Sequence, residues 1–435
     1  MRPLPPGWEW TPVGDVACDV RSGFASGKHN AVGSGIPHLR PMNVSRLGAI
    51  NLEEVKYVDP GVDERRLAPG DVLFNNTNSS VLVGKTALFR QDSGEFAFSN
   101  HMTRVRTEYG VVPAFVAAQL HFLWMTGQLS HLITNHVNQA SISAQTLARR
   151  VELAIPPTAE QERIVAAFEE HLSRLDAAEV ALRSAAARVD WLPASARATA
   201  FRQPWPRRPL GSVAHTQLGK MLSAKSRTGT GSTPYLRNRN VRWGSVDLSE
   251  VAVMDFSDAE RDRFRLVEGD VLICEGGAGV GRTAIWRGEL QECCYQKALH
   301  RVRTGDELVP EFLVQYLRYL AETRRLEQHL SGVAIGHFPQ EDLRTLEIPV
   351  PPVADQHRFL DQIGSQESFV EVLSAAFVRS ASRAQALRRS ILAAAFSGQL
   401  VPQDPDEEPT SVLLGRMRAE RLSATPTKTR GRYRE

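Results

Sequence analysis

Aligned with itself at an offset of roughly 197 residues, the sequence matches block after block, and no other feature limits its possible folds so strongly. IPHLRPMNVSRLGAINLEEVKYVD from Ile36 runs beside TPYLRNRNVRWGSVDLSEVAVMDF from Thr233. LAPGDVLF from Leu67 answers LVEGDVLI from Leu266, GKTALF from Gly84 answers GRTAIW from Gly281, and TRVR from Thr103 answers HRVR from His300. VVPAFVAAQL from Val111 answers LVPEFLVQYL from Leu308, and AIPPTAEQERI from Ala154 answers PVPPVADQHRF from Pro349. The chain is therefore expected to fold as two copies of one unit.

Each copy opens with short β-type runs, such as residues 71–74 and 270–274, separated by Gly, Asn and Asp turn clusters. Helical segments follow at 113–129 and 310–330, so the class is α+β. A double proline, Pro156–Pro157 or Pro351–Pro352, then ends a strand and announces a long helix. The first such helix opens with the capping-box pattern Thr158-Ala-Glu-Gln161. In it Ile164, Phe168, Leu172, Leu175, Leu182, Ala186, Val189 and Leu192 recur at spacings of three and four, with Glu179 holding one place in the series. The second helix offers Phe359, Ile363, Phe369, Leu373, Ala376, Leu387 and Ile391 on a less regular stripe. Helices this long need a partner along their length, and the two are each other's obvious partner in a coiled coil. The expected division is 1–157, first globule; 158–203, central helix and linker; 204–352, second globule; 353–403, C-terminal long helix; and 404–435, a charged tail with one short helix around 412–421 that then frays.

Composition narrows the function classes. With 42% hydrophobic and 23% charged residues the chain suits well-filled cores, and no apolar run approaches the ~20 residues of a bilayer span, which places it in the cytoplasm without a membrane partner. Cys18, Cys274, Cys293 and Cys294 form no CxxC pair and no His pair has zinc-finger spacing, so no metal site is expected. A net charge of +3 from 52 basic and 49 acidic residues permits a nucleic-acid partner without arguing for one.

The sequence offers three catalytic readings and supports none. GGAGVGRT, Gly276 to Thr283, fits GxxxxG(K/R)T, but a phosphate loop must open a helix and here the strand-like AIWRG follows. Both this segment and its counterpart at Gly84-Lys85-Thr86 are expected to be hairpin loops, with Lys85 or Arg282 placed to approach a phosphate backbone. An adenine methyltransferase would carry Asn/Asp-Pro-Pro-Tyr/Phe, whereas the double prolines read Ile155-Pro-Pro-Thr158 and Val350-Pro-Pro-Val353. No GxSxG nucleophile elbow occurs. No catalytic residue is assigned.

Polar residues do gather at corresponding places: Arg40 and Asn43 against Arg237, Asn238, Arg239 and Asn240; Asn100 and His101 against Gln296 and Lys297; His136, Asn138 and Gln139 against Ala334, Gly336 and His337. These side chains are the types that read base edges, and where the copies differ they would read different bases. The alternative for each is a solvated, turn-forming surface.

The repeat of globule plus long helix, with IPPTAEQERI, PVPPVADQHRF and the closing LRRSILAAAFSGQLVPQDPDEEPTSVLLGRMRAE, resembles the specificity subunits of type I restriction-modification systems over nearly the whole chain. A degraded echo of the closing motif, Pro193 to Phe201, follows the first long helix. The resemblance implies two tandem target-recognition domains, each reading one half of a bipartite asymmetric site in double-stranded DNA, and an antiparallel coiled coil of the two helices. It also implies two modification (methyltransferase) subunits that bind S-adenosylmethionine, and restriction (endonuclease/translocase) subunits that use ATP and Mg2+; this chain would hold no cofactor and catalyse nothing. The main rival is an adaptor whose two globules bind only protein.

Overall fold

The computed structural model describes residues 3–61, 65–221, 232–332 and 336–424 of the 435-residue chain. By contacts it divides into two compact units, residues 1–181 with 379–435 and residues 182–378. The expected partition set the long helices apart as segments of their own. Here each unit includes pieces of both, because their apolar faces are consumed by the globules.

In the first unit the strands Ala17–Ser22, Met102–Thr107, Val72–Asn75 and Thr86–Leu88 form an antiparallel sheet in that spatial order. Val72, Phe74 and Val105 turn their side chains into the same core as Phe115, Val116 and Leu120 of the helix Pro113–Met125, following the two-residue alternation of a strand buried on one face. A second sheet places Ile36–Leu39 between Lys56–Val58 and Ala97–Phe98, the latter pair parallel. The second unit repeats both: Ala214–Leu218, Leu299–Thr304, Val271–Cys274 and Thr283–Ile285 in one sheet, Ala252–Asp255, Ser232–Leu236 and Cys294–Tyr295 in the other. The fold is α+β, duplicated, as the self-alignment requires.

Identical devices hold the two copies. A buried aspartate, Asp71 or Asp270, takes a bidentate pair from Arg106 or Arg303 at 2.7 and 2.8 Å and also accepts the N–H of Ala68 or Val267. Such a carboxylate is tolerable inside because both oxygens are hydrogen-bonded and a guanidinium balances the charge. In the motif after each double proline, buried Gln161 accepts the N–H of Val112 at 2.8 Å and donates to the Pro156 carbonyl at 2.9 Å; Gln356 does the same to Val309 and Pro351. The glutamine thereby locks the long helix to the start of the globule's own helix. This replaces the expected capping box: Thr158 instead donates its hydroxyl to the Gly110 carbonyl.

The long helices run Thr158–Asp190 and Val353–Ala395. Within the first unit Ile164, Phe168, Leu392 and Ala395 share the core, with Leu172 and Ile391 at its edge and Leu175 half-buried. Their early and late turns meet in antiparallel sense: Phe168 lies level with Leu392, and further along one helix Asp176 and Glu179 face Arg388, further back along the other. Arg388 is only 4% exposed, which explains why a glutamate holds a place in the apolar series. In the second unit Phe359 and Ile363 are buried, while Leu182, Val189 and Leu373 are partly buried. Phe369 and Leu387, assigned to the seam from sequence, are 53% and 50% exposed; their neighbours Val370 and Arg388 are covered instead, Val370 partly and Arg388 fully. A one-residue error turns a helical position by ~100°, enough to move it off the face.

The closing motif and its echo are structural equivalents. Phe396 packs on Phe115 with ring centroids 5.4 Å apart, and Phe201 packs on Phe312 at the same distance. Beyond Phe396 the tail forms the helix Thr410–Ala424, longer than expected and docked rather than solvated. Leu413, Leu414 and Met417 are buried in the first unit, and Arg421 donates to the carbonyls of Gly14 and Ala17. The expected fraying beyond this helix falls outside the described residues.

Candidate nucleic-acid interface

In each unit the polar loops converge where the two sheets meet. The strand ending at Leu39 runs parallel to Ala97–Phe98, and the Leu39 carbonyl accepts the N–H of Ser99 at 2.9 Å. Arg40 thus leaves the sheet beside the turn carrying Asn100 and His101. That turn is clamped from behind: Asn76 donates to the Asn100 carbonyl at 3.1 Å and to Thr103 Oγ1 at 2.9 Å, and the backbone N–H groups of Asn76 and Thr77 both reach the His101 carbonyl. Gly23 passes so close that an added Cβ would lie 2.0 Å from the Phe98 carbonyl; in the second unit Gly219 approaches the Gln296 carbonyl at 2.2 Å. Only glycine fits such an approach.

From this base a small three-stranded sheet projects in the first unit, Thr134–Asn135, Ala140–Ser141 and Thr77–Asn78. His136, Val137, Asn138 and Gln139 form its exposed tip, closed by a 2.7 Å bond from the His136 N–H to the Gln139 carbonyl. The structure therefore brings Arg40, Asn100, His101, His136, Asn138 and Gln139 to one face.

In the second unit Arg237, Asn238, Gln296, Lys297 and His337 take up the corresponding region. Gln296 donates its N–H to the Leu236 carbonyl, Asn238 donates Nδ2 to the Gly276 carbonyl at 2.8 Å, and Gly276 bridges to His337. Lys297 and His337 are exposed. Asn238 Oδ1, Gln296 Oε1 and Arg237 Nε are buried without a partner among the described residues, the condition expected of polar groups whose complement comes from a ligand. Arg237 and Arg239 both reach Glu250 at 3.0 Å, a pairing that positions the two guanidiniums near the loop.

Three assigned residues do not belong to this face. Asn43 is 3% exposed and spends its whole amide internally: it accepts the Arg40 N–H and donates to the carbonyls of Asn51 and Glu54, each at 2.9 Å. Asn240 repeats this with Arg237, Asp247 and Glu250. Both hold a loop and neither can read a base edge. Lys85 is 6% exposed, its ammonium drawn inward to the carbonyls of Val44 and Pro41, and burial pushes its pKa down. It cannot meet a phosphate. Arg282 is half-buried with its side chain laid along Gly279, in a loop between antiparallel strands that opens no helix, as the hairpin reading required.

The pairing of positions between copies also changes. Ser99 and Gln296 make the same bond to Leu39 and Leu236, so Asn100 corresponds to Lys297 and His101 to Ala298, one step from the sequence alignment. Ile142 and Phe338 donate equivalently to Asn76 and Glu275, so His337 corresponds to Ser141, not Gln139. Ala334 lies outside the described residues. Thr77, Asn78 and Val137 were missed from sequence; the one signal that could have found them is the two-residue alternation around the tip, too short to register.

A protein so arranged is a duplicated recognition scaffold: one backbone frame twice over, presenting different side chains from equivalent loops. The profile of the type I restriction modification DNA specificity domain matches residues 202–368. The EcoKI specificity subunit of Escherichia coli K12 is 23% identical over 97% of both chains, and a putative type I specificity subunit, MjaX, of Methanocaldococcus jannaschii is 20% identical over 85% of this chain and 89% of its own. Two solved structures share the fold at 21% identity. One is from a study of type I restriction-modification assembly, with TM-score 0.70 over 92% of this chain and 100% of that one; the other is the HsdS subunit of Thermoanaerobacter tengcongensis, with TM-score 0.58 over 91% and 98%. Residues 202–368 thus match a type I specificity domain, and the chain is similar over nearly its whole length to specificity subunits of type I restriction-modification systems.

Proposed function

We propose that this chain is the DNA sequence-specificity subunit of a type I restriction-modification complex, recognising a bipartite asymmetric site and positioning modification and restriction subunits. The observation that carries the reading is the pair of equivalent loops with unlike side chains: Asn100 and His101 in one unit, Lys297 and Ala298 in the other. Two different faces on one frame suit two unlike half-sites, since amides and cations select bases by the donor and acceptor pattern of the groove. The chain contributes no chemistry. S-adenosylmethionine, ATP and Mg2+ belong to the two modification subunits and the restriction subunits it carries. Among the described residues no helix is long and apolar enough to cross a membrane.

The test is methylome sequencing of a host expressing this chain with its modification partner. Gln139→Ala is expected to relax one half of the motif and Gln296→Ala the other. Duplex binding should fall steeply with salt. A chain that binds its partners but shows no salt-dependent affinity for duplex DNA would be the protein-binding adaptor instead.

A further inference from the structure

The tip of the projecting hairpin carries an apolar residue that does nothing for the fold. Val137 is 99% exposed, between His136 and Asn138, and belongs to no hydrophobic cluster among the described residues. Turn chemistry does not ask for it. The four-residue tip is closed by backbone atoms of His136 and Gln139, and its inner positions favour Asn, Asp or Gly over a β-branched residue. Single apolar residues on a surface are common; this one stands at the exposed tip of the small sheet, flanked by three side chains able to hydrogen-bond base edges. A two-stranded ribbon fits the major groove, about 12 Å wide, and there the one apolar group on a base edge is the C5-methyl of thymine.

We propose that Val137 selects a thymine, by contact with its C5-methyl group, in the half-site read by the first unit. The inference rests on the DNA-reading function proposed above. His136, Asn138 and Gln139 hold the ribbon in register on the neighbouring edges, and the valine supplies the only tip side chain with nothing to offer a hydrogen-bonding group. A thymine at that position gains contact with the valine, and a cytosine there loses it.

The experiment uses the chain assembled with its modification subunits and duplexes bearing the methylome-derived site, each thymine of either strand replaced in turn by uracil, which lacks only the methyl group. One position is expected to weaken binding by roughly four-fold, the effect of withdrawing one methyl-sized apolar group from contact. In Val137→Ser that sensitivity should vanish while affinity for the uracil duplex stays at the parental level. Val137→Ile, equally exposed and still apolar, should keep it. A parent complex that separates its site from a scrambled duplex yet ignores every uracil, or a sensitivity that persists in Val137→Ser, overturns the assignment while leaving the function standing. Failure to separate site from scrambled duplex overturns both.

Discussion

Replacing Asn240 by alanine tests whether the conspicuous polar cluster Arg237–Asn240 reads DNA or holds the protein together. The Asn240 amide is 2% exposed and makes three bonds: it accepts the Arg237 N–H at 2.9 Å and donates to the carbonyls of Asp247 and Glu250 at 2.8 and 2.9 Å. A net bond contributes about 0.5–1.5 kcal/mol, and truncation also strands three backbone groups in a confined loop, so the loss should be about 3 kcal/mol. In a unit of roughly 200 residues each kcal/mol moves the Tm by about 2–4 °C, giving a fall of about 6–12 °C for the second unit. Calorimetry of the purified chain measures this. At a temperature where the variant remains folded, the methylated motif should be unchanged at both halves. A variant with parental Tm and a relaxed half-site would refute the argument and restore Asn240 as a base reader.

Lys85→Met is expected to leave the salt dependence of DNA binding at the parental slope, because the ammonium is committed to the carbonyls of Val44 and Pro41; it should destabilise the first unit by about 1–3 kcal/mol in urea titration. A flattened salt slope would show that Lys85 reaches phosphate after all. The first unit should also lose stability in acid. Burial lowers the His121 pKa to about 4, and its neutral ring accepts the Thr86 N–H at Nδ1 and meets the Arg46 carbonyl at Nε2. Since the folded value lies below the ordinary 6.5, the unfolded chain takes up the proton first: stability is complete above about pH 6.5 and falls as pH drops toward 4. His38, also pushed down to about 4 by burial, acts in the same direction. Urea midpoints measured from pH 8 to 4 should show this slope, and His121→Phe should reduce it; an unchanged slope would locate the titration elsewhere.

Duplication, the α+β class, the long helices and the kinship were all legible in the sequence because each is written in local or repeated patterns. Self-alignment needs no coordinates, double prolines stop a strand wherever they occur, and a heptad-like stripe announces a buried face. The sequence also singled out loops that the fold brings together: Arg40, Asn100, His136 and Gln139 gather in the first unit, and Asn238 and Gln296 in the second.

Tertiary structure alone decided which side chains on those loops face outward. Asn43 and Asn240 have the same letters as a base-reading asparagine, and only the carbonyls of segments 7–11 residues away turn them inward. Lys85 is indistinguishable in sequence from a phosphate contact, yet a turn some 41 residues distant supplies the carbonyl that buries its charge. Phe369 and Leu387 look apolar enough for a helix seam, but the buried arginine Arg388, paired with Asp176 more than 200 residues earlier, sets the face that turns inward. The tail likewise reads as charged and solvated until Leu413, Leu414 and Met417 meet the first unit's core. In each case hydrogen-bond satisfaction or burial depends on a neighbour that only the folded chain brings alongside, whether a loop some ten residues on or a segment hundreds of residues away.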